Sequence, residues 1–178
     1  MTQQTLMQAI GYLYPTAMPN VNYSVSMDAS GNASIRLWDN SLGTQPTSDA
    51  LSVAMSAGQL SSARIYQQAV ILTAYKQARW GTPVSLTVGS NVCIFPADAE
   101  TQLNVSYYIA ANILQQAATT TYPLLDVNEA VQMLTYAQLV ALAQVIQAAT
   151  LAAFSKKSAL FAQIASATTI AAVQAVDW

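Results

Sequence analysis

Hydrophobic positions recur every three or four residues through the last third of the chain. Leu139, Leu142, Ile146, Ala149, Ala153, Leu160 and Ile164 fall at spacings of three, four or seven, which places them on one stripe of a single helix. Thr135 followed by Gln138 is a capping box, in which the hydroxyl accepts from a free backbone N–H and the amide reaches back. The spacing therefore predicts a continuous helix over 135–167, with Thr168 and Thr169 as caps for a last short turn. Ala137, Ala141, Ala148, Ala152 and Ala159 lie off the stripe. Small residues thus surround the helix, which is expected to pack on more than one side, and the stripe itself is the candidate interface.

The same patterning organises the rest. Leu6, Met7, Ile10, Leu13 and Tyr14 fit a short amphipathic helix stopped by Pro15. Tyr23, Val25 and Met27 alternate with polar residues, Ala29-Ser30-Gly31-Asn32 turns the chain, and Ile35, Leu37 and Trp38 continue a return strand. Thr47 caps a helix, and the chain divides near Gly58. Beyond it Ser61 or Ser62 caps another helix carrying Ile65, Ala69, Leu72 and Tyr75 on one face, ended by Gly81. Two short strands flank Gly89-Ser90-Asn91. Asp98 caps a helix in which Leu103, Tyr107, Ala110 and Leu114 line up, and Thr119-Thr120-Thr121 breaks it before Pro123. An apolar strand through Tyr122-Pro123-Leu124-Leu125-Asp126-Val127-Asn128 then leads into the long helix. The fold class is α+β: an N-terminal helix and hairpin module over 1–58, then helix, hairpin, helix, hairpin and long helix over 59–178.

Composition changes the picture most through charge. Only 8% of the 178 residues are Asp, Glu, Lys or Arg, where about 25% is usual. The polar surface must be largely Gln, Ser, Thr and Asn, which suits a chain packed against copies of itself or neighbouring subunits. A net charge of −2 with six scattered cations leaves no footprint for nucleic acid. Residues 130–155 carry no charge over a length sufficient to span a bilayer. Gln132, Gln138, Gln144 and Gln147 interrupt that run, so a protein-packed helix is expected and membrane insertion is not. No charged segment precedes an apolar run at the start, and the single cysteine excludes an intrachain disulfide. Assembly in the cytoplasm is the expectation.

Chemistry is narrow. The chain has no histidine, which removes the commonest general base and every histidine-dependent triad or metal site. Cys93, between Val92 and Ile94, reads as a buried inert thiol. The carboxylate pairs are Asp98 with Glu100, expected at a helix start, and Asp126 with Glu129, bracketing a turn at Asn128 without calcium-loop spacing. No phosphate-binding glycine pattern occurs. No catalytic residue, cofactor or metal is therefore expected, and the chain reads as a non-enzyme. Tyr12, Tyr14, Tyr23 and Trp38 fit core packing better than a sugar platform, so a host surface glycan has no support as a partner. Lys156 and Lys157 read as a solvated rim.

Two resemblances add to this. The Asp-x-Asn turn, Leu134-Thr135, Gln138-Leu139-Val140-Ala141-Leu142, the basic pair and the closing Val176-Asp177 resemble, over roughly 64–178, a domain of unknown function at the C-terminal ends of tailed-phage tail fibre and tail-associated proteins. Over about 5–58, Tyr14-Pro15, the Tyr23-x-Val25 strand, Ile35-x-x-Trp38 and Gln45-Pro46-Thr47 are similar to a small module of phage and prophage tail gene clusters. The resemblance implies a virion part, a tail fibre, baseplate or attachment protein acting on other phage tail proteins and located in the virion tail. It also implies a homo-oligomer, threefold by family habit. An assembly chaperone absent from the mature particle is the alternative.

Overall fold

A computed structural model describes residues 2–115 and 120–178, which form two units. The first comprises Met1–Gln67 with Ser166–Ala175, and the second Gln68–Ala165 with Val176–Trp178. Contacts thus divide the chain after Gln67, later than Gly58, and return a C-terminal segment to the first unit.

In the first unit, helix α1 (Gln3–Leu13) is capped by Thr2, whose hydroxyl accepts from the Thr5 N–H, and buries Leu6, Ala9 and Ile10. Strands β1 (Tyr23–Met27) and β2 (Ala33–Trp38) pair antiparallel. Tyr23 lies opposite Trp38 and Val25 opposite Ile35, although residues 35 and 38 point to opposite faces of a regular strand. A bulge at Ser24/Val25 absorbs the extra residue and lets both Ile35 and Trp38 pack on the core of Leu6, Ala9, Ile10, Tyr23 and Leu51. Burial raises the Tyr23 hydroxyl pKa. A 3-10 turn (Asn40–Leu42) follows, and Asp39 caps it by accepting from the Ser41 N–H.

Helix α2 (Ser48–Gly81) is one helix where two were expected. It runs through Gly58, Ser61 and Ser62 because glycine costs only about 1 kcal/mol in a helix and the Ser62 hydroxyl donates back to the Gly58 carbonyl. Its buried positions include Leu51, Ala54, Gln67 and Ile71, whereas Ile65, Ala69 and Leu72 face outward.

The second unit takes the C-terminal part of α2 and adds two hairpins and the helices α3 and α4. Strands β3 (Val84–Val88) and β4 (Asn91–Phe95) meet at a two-residue turn, Gly89-Ser90. Gly89 has φ +63° and Ser90 does not enter the left-handed region, the signature of a type II′ turn. Helix α3 (Ala99–Gln115) follows, then β5 (Thr121–Leu125), β6 (Val131–Thr135) and, without a linker, α4 (Tyr136–Ser166). The capping box forms as expected: the Gln138 N–H donates to Thr135 Oγ1 and the Thr135 N–H to Gln138 Oε1. Beyond α4 the chain returns to the first unit, where Thr169 caps α5 (Ile170–Gln174). Of the expected threonine break, Thr119 lies outside the described residues, and β5 begins at Thr121.

The core of this unit gathers Val84, Cys93 and Phe95 from the first hairpin, Val105 from α3, Tyr122, Leu124 and Leu134 from the second, and Leu139, Leu142 and Ile146 from α4. Cys93 is buried, as its neighbours imply. The Val127 N–H donates to the Ile94 carbonyl at 2.9 Å and ties the two hairpins together. In α3 the inward positions are Thr101, Val105 and Asn112, with Asn112 Nδ2 donating to the Tyr122 hydroxyl at 3.1 Å. Leu103, Tyr107, Ala110 and Leu114 do share a face, and it points outward.

Candidate functional site

The two acidic pairs meet in space. Asp98 and Glu100 from the start of α3, and Asp126 and Glu129 from the β5–β6 loop, line one cleft of ≈ 510 Å³ in the second unit, with Thr101 and Tyr108 in its wall. Two pairs distant in sequence are brought together because β5 packs against α3, where the Tyr108 and Tyr122 rings stack at 5.2 Å. Sequence spacing had no means of showing this.

Most of this charge serves the backbone. Asp98 Oδ1 accepts from the Thr101 N–H at 2.8 Å as the α3 cap, and Glu100 lies in the first turn, where negative charge suits the helix dipole. Asp126 Oδ1 accepts from the Asn128 and Ala130 N–H groups, and Oδ2 from Gln132 Nε2. Burial pushes the Asp126 carboxyl up, but these hydrogen bonds outweigh it and hold the group below the usual carboxylate range. The carboxylates thus anchor a helix start and a loop, and among the described residues no three His, Cys, Asp or Glu side chains are placed to hold a metal ion.

The candidate interface stripe is turned into the chain's own fold. Leu139, Leu142, Ile146, Ala153, Leu160 and Ile164 are buried, and Ala149 packs against the core of the second unit. The first part of the stripe, Leu139, Leu142 and Ile146, packs with Tyr122, Leu124 and Leu134 of the hairpin that the helix leaves. The other sides are more open: Val145, Leu151 and Phe154 are exposed, as are Ala137, Ala148, Ala152 and Ala159, whereas Ala141 is half-buried. The helix is long and apolar enough to cross a membrane by length and composition.

The outward surface includes many large apolar side chains and little charge. In the second unit it includes the α3 face and, on the hairpins, Val92, Ile94, Leu125, Val131 and Met133. Leu125 lies opposite Val131 and Pro123 opposite Met133, so their side chains share the outer face. The basic pair has a local use that charge patterning missed. Lys156 Nζ sits 4.9 Å from the Trp178 ring centroid and Lys157 Nζ 4.8 Å from that of Tyr75, with the two rings 6.3 Å apart. These contacts fix the chain's last residue onto α4.

The aromatic candidates of the first unit divide. Tyr23 is buried, and Trp38 packs edge-on to Tyr14 at 5.0 Å while its Nε1 donates to the Gly43 carbonyl. Tyr12 is half-exposed and lies against Gly58, where an added Cβ would stand 3.5 Å from Tyr12 Cδ2. Tyr14, Tyr23 and Trp38 thus pack in or against the core of the first unit, and Tyr12 lies outside it.

Two family models match the chain: the domain of unknown function DUF4376 over residues 66–177 and the XkdW protein over residues 6–63. Neither a curated protein nor a solved structure gives a significant match. Both families are typical of phage and prophage tail gene regions, and the two matches coincide with the two resemblances read from the residues. With its larger match spanning more than half of the sequence, the chain belongs to the DUF4376 family and joins that domain to an XkdW-type module.

Proposed function

We propose that the protein is a non-enzymatic structural component of a phage tail, placed in the virion as part of a fibre, baseplate or fibre attachment and acting through contacts with other tail proteins and with copies of itself. The observation that carries this is the outward surface of the second unit. Helix α3 and both hairpins present large apolar side chains to solvent, on a chain with 8% charged residues. Large apolar side chains left open on several elements of a sparsely charged chain favour a protein contact. A catalytic role has little to draw on, since histidine is absent, Cys93 is buried and two of the four clustered acids, Asp98 and Asp126, are engaged by backbone N–H groups. Helix α4 is packed in protein in this proposal because Leu139, Leu142 and Ile146 already belong to a core.

Mass spectrometry of purified particles tests the placement. Peptides of this chain at a stoichiometry comparable to known tail proteins are expected. Their presence in the lysate together with absence from washed particles would overturn the reading in favour of an assembly chaperone.

A further inference from the structure

We infer that the outward face of α3 is a twofold contact with a second copy of this chain, the two helices running antiparallel. This deepens the structural reading above and rests on its self-association. The face consists of Leu103, Tyr107, Ala110 and Leu114, with 69%, 66% and 84% of the surface of Leu103, Tyr107 and Leu114 open to solvent. Their spacing of four, three and four residues is that of an a/d seam.

That spacing reads the same in both directions. When two such helices run antiparallel about an axis midway between residues 108 and 109, Leu103 falls opposite Leu114 of the other copy, and Tyr107 opposite its Ala110. Each layer then pairs two leucines or one large ring with one methyl, and the second half of the seam repeats the first by symmetry. Self-complementarity of this sort is what an isologous contact requires. A parallel pair would instead set Tyr107 against Tyr107 and leave Ala110 facing Ala110.

Charge points the same way. From Thr101 to Gln115 the helix carries no Asp, Glu, Lys or Arg, and the seam is flanked by Asn104, Ser106, Ala111 and Ile113. No like charges meet along an antiparallel pair, and the two Glu100 side chains lie at its opposite ends. Area is sufficient as well. The seam with the exposed Ile113 leaves on the order of 600 Å² uncovered per copy, so a pair buries at most ~1,200 Å², the lower edge of stable interfaces and the range of a reversible contact. The product is a dimer, in place of the trimer that family habit implies.

Sedimentation of the full chain over a hundredfold range of concentration tests this, with circular dichroism melting to confirm folding. The parent is expected to be a reversible dimer. Tyr107→Ala alone and Ala110→Tyr alone should each raise the dissociation constant about tenfold or more. The double exchange Tyr107→Ala with Ala110→Tyr should recover most of that loss, because it restores one large and one small side chain in every layer. Single variants that leave an oligomer unchanged would overturn the α3 contact while leaving self-association through another face intact. A double exchange no tighter than the singles would overturn the antiparallel register. A parent monomeric throughout would overturn the contact together with the self-association it rests on.

Discussion

At the scale of single residues, one loop is built twice. In Asp28–Asn32 and again in Asp126–Ala130 the first N–H donates to the last carbonyl, and the Asp Oδ1 accepts from the third and fifth N–H groups. The fourth position turns left-handed in both, with φ +81° at Gly31 and +61° at Glu129. Glycine adopts that region freely, whereas a residue with a Cβ pays about 1 kcal/mol or more. Glu129→Gly should therefore stabilise the protein by about 1 kcal/mol, read as a higher denaturant midpoint at unchanged slope. The carboxylates of these loops also set a pH dependence. Asp126 has a folded pKa below its unfolded value, so its contribution is fully present above the unfolded pKa near ~3.9 and is lost as pH falls through the folded value. Asp126→Asn should lower stability at neutral pH and flatten the acid limb of the stability profile. An unchanged acid limb would show that other carboxylates set it.

At the scale of elements, what the sequence revealed was what neighbours in the chain decide. Thr135 with Gln138, Thr169, Asp98 and the Gly89 turn are local hydrogen-bonding devices, and each stands where the residues indicate. Helix faces were less legible. Helices α2 and α3 carry apolar residues on more than one side and hardly any charge to mark the wet one, so periodicity found the stripes of Ile65 and Leu103 without showing that they face outward. The helix start expected at Ser61 or Ser62 is absent for a related reason, since a glycine among good helix formers weakens a helix without ending it. The acidic cleft was illegible in principle, because its two halves meet only through the packing of β5 on α3. Gly58→Ala is expected to stabilise by about 0.5–1 kcal/mol, because the new methyl stands 3.5 Å from Tyr12 Cδ2, an ordinary contact. A loss of stability would show that the site needs glycine's backbone freedom. In α4, Ala149→Glu with Ala153→Glu should unfold the second unit, since Ala153 is buried and Ala149 packs on the core, and an unpaired buried carboxylate costs several kcal/mol. The same change at exposed Leu151 should leave the melting midpoint nearly unmoved.

At the scale of the whole molecule, net charge and apolar surface together decide how copies meet. With a formal charge of −2, long-range repulsion between copies is weak and there is little for salt to screen. In the proposed pair, contacts made by Leu103, Tyr107 and Leu114 would draw instead on the removal of apolar surface from water, which sulfate strengthens and cooling weakens. Self-association should therefore change less than about threefold between low and moderate sodium chloride, tighten in ammonium sulfate and loosen towards 5 °C, all measurable by sedimentation velocity on the same preparation. Proteins that join through paired charges behave in the opposite way, losing affinity steeply as salt rises. A steep loss in sodium chloride would transfer the contact to the chain's few charged groups, the acidic cleft and the Lys156–Lys157 pair, and away from its apolar faces.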